Sequence, residues 1–227
     1  LVLALLSLFV FPGLASSTDK TKYYEFGFQE RVRFEYLDNN YDFNDDNNDV
    51  NNKYFRLRTS VWGKLNPTDE ISLYLRIVGE PRVYMADHAG RNFQRDEFVV
   101  DNAYFDLNKP FDLPVNFRVG RQDLKYGDGL VVVEGTPNDG SRTFSFNALK
   151  ASIQINEKNS LDAVLLNNQE YDTFLPVINN RHMKLNTSDE WGFILYGTSK
   201  VSKELTLEPY YIFKQEDSFK KTPLLNI

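Results

Sequence analysis

The sequence predicts an all-β protein, an antiparallel up-and-down transmembrane β-barrel, and three observations predict it. Long segments alternate apolar and charged residues on a two-residue period. No convincing helical period separates them, so parallel crossovers are excluded and the strands must form an antiparallel meander. The connections alternate between short and long without exception, the pattern of a barrel with short turns at one rim and long loops at the other.

The first strand is the clearest. From Tyr24 to Tyr36 the even positions are Tyr24, Phe26, Phe28, Val32, Phe34 and Tyr36, broken only by Glu30, and the odd ones are Glu25, Gly27, Gln29, Arg31, Arg33 and Glu35. A second segment sets Phe55, Leu57, Thr59, Val61 and Leu65 against Tyr54, Arg56, Arg58, Ser60 and Lys64, and a third sets Ile71, Leu73, Leu75 and Ile77 against Ser72, Tyr74, Arg76 and Glu80. Further strands are predicted at 98–107, 115–134, 142–155, 161–171, 191–201 and 205–217, about nine in all. Short links fall at Asn66 to Asp69, Asn108 to Leu113, Asn156 to Ser160 and Ser202 to Glu204; long ones at Asp38 to Asn52, Glu80 to Asp96, Gly135 to Ser141 and Asp172 to Glu190. Runs of ten or more residues exceed the usual strand of a soluble sandwich and match a tilted membrane strand of about 9 to 11 residues.

The faces follow from cost. An arginine turned to lipid near the bilayer midplane of a barrel costs roughly 2 to 4 kcal/mol, so Arg56 and Arg58 together fix the register. The charged face is then the lumen, lined by Arg31, Arg33, Arg56, Arg58, Arg76, Arg118 and Lys150, with Lys214 further on. Glu25, Glu35, Glu80, Asp106, Asp162 and Glu208 share that face as acidic partners. Rings of Arg and Lys in a narrow pore select anions, and the Arg fork suits carboxylates.

The two ends and the composition bound the rest. Leu1 to Phe11 is almost wholly apolar and Pro12-Gly13-Leu14-Ala15-Ser16 follows, which reads as the remnant of a secretory signal (1–15) cut after Ala15. Residues 16–227 then read as the N-terminal part of a single barrel domain, truncated at its C-terminus, in the outer membrane of a Gram-negative bacterium. With a long loop first, the N-terminus falls on the periplasmic side. A net charge of -6 and a pI of about 5.1 argue against nucleic acid as a partner. Cysteine is absent, which excludes thiol catalysis and cysteine metal sites here.

One stretch interrupts the pattern. Gly120 to Gly129, GRQDLKYGDG, carries three glycines among Arg121, Asp123, Lys125, Tyr126 and Asp128. It lacks G-x-x-x-x-G-K-[ST], and β-sequence follows it, so it reads as a strand segment and not a phosphate loop. Strict alternation through Val115, Phe117 and Val119 turns Arg118 inward but Arg121 to lipid. A β-bulge at Gly120 is expected to return Arg121 to the lumen.

That stretch, with Arg142-Thr143-Phe144-Ser145-Phe146-Asn147-Ala148-Leu149-Lys150 and Asn102-Ala103-Tyr104-Phe105-Asp106-Leu107, resembles the alginate export porin family of Gram-negative outer membranes, over about residues 23 to 217. The resemblance implies an 18-stranded barrel of which nine strands are the first half. It also implies an arginine-lined constriction and passage of an anionic uronate polysaccharide, possible partners being lipid and periplasmic export machinery. Where the family commonly has arginine after the GDG loop, this chain has Lys150, a point charge.

Other sites are weak. Asp45-Asp46-Asn47-Asn48-Asp49 begins like a calcium loop, but Val50 and Arg56 stand where Gly and Glu belong. His88 and His182 have no ligand spacing around them, and Ser141 and Ser145 lack a nucleophile elbow. The expected function is a channel for anionic saccharides or other organic anions, not an enzyme, with no cofactor or metal. A phosphate- or carbohydrate-selective porin, and a secreted β-sandwich or lipocalin-like binding module, stay open.

Overall fold

The structure is a computed structural model that describes residues 23–37, 52–85, 93–94, 97–134, 145–186 and 188–217. The signal segment, the Asp45 to Asp49 run, His88, Ser141 and Arg142 to Phe144 lie outside the described residues.

Among the described residues fourteen strands follow one another: β1 (Tyr24–Leu37), β2 (Asn52–Leu65), β3 (Ile71–Gly79), β4 (Arg82–Tyr84), β5 (Phe93–Gln94), β6 (Phe98–Asn108), β7 (Val115–Gln122), β8 (Leu124–Tyr126), β9 (Val132–Glu134), β10 (Phe146–Gln154), β11 (Asn159–Asn168), β12 (Glu190–Lys200), β13 (Thr206–Leu207) and β14 (Tyr210–Glu216). The long ones form a single antiparallel up-and-down sheet in the order β1-β2-β3-β6-β7-β10-β11-β12-β14. Past Glu80 and Pro81, β4 continues the course of β3 along β2, with β5 beside it, and β13 precedes β14 along β12. The sheet is open: among the described residues β1 pairs with β2 and β14 with β12.

Because the pairings are antiparallel and keep their register except at Arg76/Ile77 between β3 and β6, residues on neighbouring strands line up in rows that share a face. One row runs Tyr24, Leu65, Leu73, Phe105, Val119, Leu149, Leu165, Phe193, Phe213. The row beside it, on the opposite face, runs Glu25, Lys64, Tyr74, Tyr104, Gly120, Ala148, Leu166, Gly192, Lys214. The apolar face is the open one: Phe26 is 78% exposed and Leu165 60%. Glu30, a charged residue on it, accepts a 2.5 Å hydrogen bond from the Thr59 hydroxyl.

The predicted strand 115–134 is in fact two structures. Its first part, β7, belongs to the sheet. At Asp123 the chain leaves, and β8 and β9 pair as a separate two-stranded hairpin. That hairpin lies on the charged face of β10 to β12, where Leu124, Tyr126, Ala148, Val164, Leu166, Ile194 and Tyr196 form a buried cluster, with Val131, Val132 and Phe146 packed against it. The hairpin turn is Gly127-Asp128-Gly129, all three at positive φ (60°, 53° and 92°). A Cβ on Gly127 would sit 2.5 Å from Val131 Cγ2, so glycine is required there on both counts.

Candidate functional site

The charged face of β1 to β4 is built from opposed arginines. Arg31 lies across from Arg58, and Arg33 across from Arg56, which in turn faces Arg82. Like charges directly opposite one another are unfavourable, so the arrangement needs carboxylates between them. Glu35 takes Arg33 at 2.6 Å and Arg56 at 3.2 Å, and also accepts from the Tyr54 hydroxyl. Glu80 pairs with Arg58 at 2.9 Å. Arg76 is held by Asp101 at 2.8 Å and Asp123 at 2.9 Å. Arg82 lies 5.1 Å from the centre of the Tyr54 ring. In the half of these strands next to the long links, six arginines thus meet four carboxylates, an excess of positive charge among the described residues. Arg31, Arg33, Arg56 and Arg58 are buried, at 5 to 8% exposure.

Further along the face each cation has its own carboxylate partner or partners and is more open. Arg118 pairs with Asp106 at 2.7 Å while its guanidinium lies 3.9 Å over the Tyr104 ring, which stacks on Tyr74. Lys150 pairs with Asp162 at 2.7 Å, and Lys214 with Glu190 at 2.5 Å and Glu216 at 2.6 Å. Glu25 lies opposite Lys64 and is reached by the Asn66 amide at 3.5 Å. Glu208 sits in the exposed link between β13 and β14 and accepts from the Tyr196 hydroxyl.

Arg121 differs from the expectation, and the predicted bulge is elsewhere. Pairing runs unbroken through Gly120 on both sides, with Tyr104 and with Ala148. The register shift is between β3 and β6, at Arg76/Ile77, where Asp101 is the extra residue. That bulge turns the fully buried Asp101 carboxylate onto Arg76. Gly120 serves close approach instead: at φ +125°, a Cβ would fall 2.3 Å from the Ala103 carbonyl. Arg121 therefore stays in the row of Leu75, Ala103 and Asn147, which belongs to the apolar face. It sits one residue before the end of β7 and is clasped by the link after β11. Its guanidinium donates to Asp172 at 2.5 Å and to the carbonyls of Val100 and Leu175 at 2.6 and 2.9 Å.

Asp172 is the hub of that clasp. It also accepts from the Asn147 amide at 2.5 Å and from the backbone N–H groups of Phe174 and Leu175 at 2.9 and 2.8 Å. Burial works to raise its pKa. The Leu175 N–H, the Arg121 charge and the Asn147 amide outweigh that and hold the carboxyl below its ordinary value of 3.8.

Arg82, Asp101, Asp123 and Asp172 escape a reading by alternation because each stands where the period breaks: after Pro81, in the bulge, at the hairpin departure and in a link. Among the described residues no three His, Cys, Asp or Glu side chains cluster in a way that could hold a metal ion.

An open antiparallel meander with one ion-paired face and one largely exposed apolar face defines the class: a sheet wall whose charged groups are gathered mainly on one side. The chain belongs to the alginate export family, whose model matches residues 22–224, and that family is one of transport proteins. No curated protein matches the chain.

Proposed function

We propose that the chain forms part of an outer-membrane β-barrel channel. In this reading its lumen is the arginine-lined face, and its solutes are anionic saccharides of the alginate type or other organic anions. One observation carries the reading: the distribution of burial between the two faces is the reverse of a water-soluble sandwich. A soluble protein buries its apolar face, whereas here that row is open and the arginines are enclosed. Lipid is the environment in which an exposed row from Tyr24 to Phe213 is stable and an outward arginine is not. Strands of 9 to 14 residues in β1 to β3 are long enough to cross at a tilt.

The proposed path-lining cations are Arg31, Arg33, Arg56, Arg58, Arg76, Arg118 and Lys150, with Glu35, Glu80 and Asp106 tuning their net charge. Glu25 and Glu208 lie at the margins, and Arg121 is a rim residue of the long-link end. That end faces outward from the cell in this reading, leaving the N-terminus periplasmic. Among the described residues the arginines of β1 to β4 outnumber Glu35, Glu80, Asp101 and Asp123 beside them, which raises the local concentration of anions, and the guanidinium forks match carboxylates.

The test is conductance of the reconstituted protein in planar bilayers under a salt gradient. We expect a reversal potential of anion-selective sign that shifts toward cations in Arg56→Glu/Arg58→Glu. A water-soluble protein with no conductance would sink the channel reading; an unchanged reversal potential in the double variant would sink the lumen assignment.

A further inference from the structure

We propose that residues 124–134 are a fixed constriction standing inside the channel, and that Lys125 on it is a solute-contacting cation. The inference rests on the channel reading above. The hairpin leaves β7 at Gln122, level with Phe146 of β10, and its turn meets Tyr196, which shares a row with Asp162 and Ser152. From Gln122 to Gly127 the extended chain spans up to roughly 17 Å at about 3.3 Å per residue, so the hairpin reaches below the rim.

Polar ties at several points and one apolar contact hold it there. At the base, Asp123 accepts from Arg76 at 2.9 Å and from the Asn102 amide at 2.8 Å. On the face toward the sheet, the Tyr126 hydroxyl donates to Asp162 at 2.9 Å, beside the Lys150 ammonium that pairs with the same carboxylate. At the tip, the Gly127 N–H donates to the Tyr196 hydroxyl at 3.0 Å, while the Tyr126 and Tyr196 rings stack at 4.5 Å. Leu124 and Tyr126 are buried against the sheet, at 2% and 7% exposure. A segment with this many buried partners is part of the wall, not a lid that swings.

Alternation then decides what the hairpin shows to the passage. Leu124 and Tyr126 point to the sheet, so Lys125 between them points away from it and is exposed. None of the ion pairs among the described residues includes it. The hairpin thereby covers the apolar inner surface of β10 to β12 and confines the passage to the side lined by the β1 to β4 arginines, with Lys125 facing that side. An anion crossing the constriction meets guanidinium groups on one flank and an ammonium on the other.

The chain as given contains no cysteine, which makes a charge-replacement test clean. Lys125→Cys in the whole protein is reconstituted in planar bilayers and modified with a thiol reagent that adds either an ammonium or a sulfonate, labelling being verified by mass. Lys158→Cys, in the exposed turn between β10 and β11, is the control. We expect Lys125→Cys to lose anion preference, the ammonium reagent to restore it, and the sulfonate reagent to shift the reversal potential further toward cations, with Lys158→Cys unaffected. A conducting Lys125→Cys channel whose reversal potential and conductance ignore both reagents overturns this inference and leaves the channel reading standing. An unmodified parent that does not conduct defeats both.

Discussion

Leu165→Arg separates a membrane wall from a soluble sheet by magnitude. Leu165 is 60% exposed in β11, and its direct neighbours across the sheet are Leu149 and Phe193. Little packing is lost on replacing it, so the structure predicts no cavity term. If the apolar face met water, the change would fall within about 0.5 kcal/mol, as surface substitutions do. If that face meets hydrocarbon, an arginine costs roughly 2 to 4 kcal/mol near the midplane, which is between about 30-fold and about 700-fold in the folding equilibrium. Ser152→Arg is the internal control, because Ser152 lies on the opposite face directly beside Asp162 and an arginine there gains a partner. The assay is denaturant-driven unfolding of the protein from lipid vesicles, with stability read from the midpoint at constant slope. Equal stability of Leu165→Arg and Ser152→Arg, both within about 0.5 kcal/mol of the parent, would refute the assignment of faces.

Two further substitutions test the special positions. Gly120→Ala should abolish folding into bilayers, since a methyl would overlap the Ala103 carbonyl at a backbone angle L-residues avoid, whereas at Gly63 the nearest atom to an added Cβ is 3.8 Å away and alanine should be tolerated; heat-modifiable migration on unboiled gels reads both. Asp172→Asn leaves the Arg121 guanidinium, 4% exposed, without its counter-charge. Breaking such a buried pair costs roughly 3 to 5 kcal/mol, so hydrogen exchange at the Phe174, Leu175 and Ile178 amides should accelerate by at least about a hundredfold while strand amides hold. Because the folded-state pKa of Asp172 is depressed, its contribution is complete above the ordinary value of 3.8 and is lost as pH falls through the lower folded value, so the same amides should open in that acid window and stay protected near neutrality. Unchanged exchange in the variant would show that the link is held by other contacts.

What the sequence could and could not reveal has one physical source. A two-residue period reports which face a side chain takes, and in β1, β2 and β3 that is enough, because the strands run regularly and one face is largely free of charge, Glu30 being an exception. The same period cannot report what the strand is paired with. Leu124 and Tyr126 alternate with Lys125 as wall residues would, yet the surface they bury against is the inside of β10 to β12, so a hairpin on the sheet and a strand in it read alike. Nor does period report depth. Parity placed Arg121 on the apolar face, and that was right; the penalty set against it assumed the bilayer midplane. At the end of β7, beneath a link that supplies Asp172 and the Leu175 carbonyl, the guanidinium also meets the Val100 carbonyl of β6 and the Asn147 amide oxygen of β10, so protein groups solvate it without a bulge. The bulge that does exist serves a different arginine: it adds Asp101 to the face where Arg76 also meets Asp123, and so ties the cationic wall to the hairpin that stands against it.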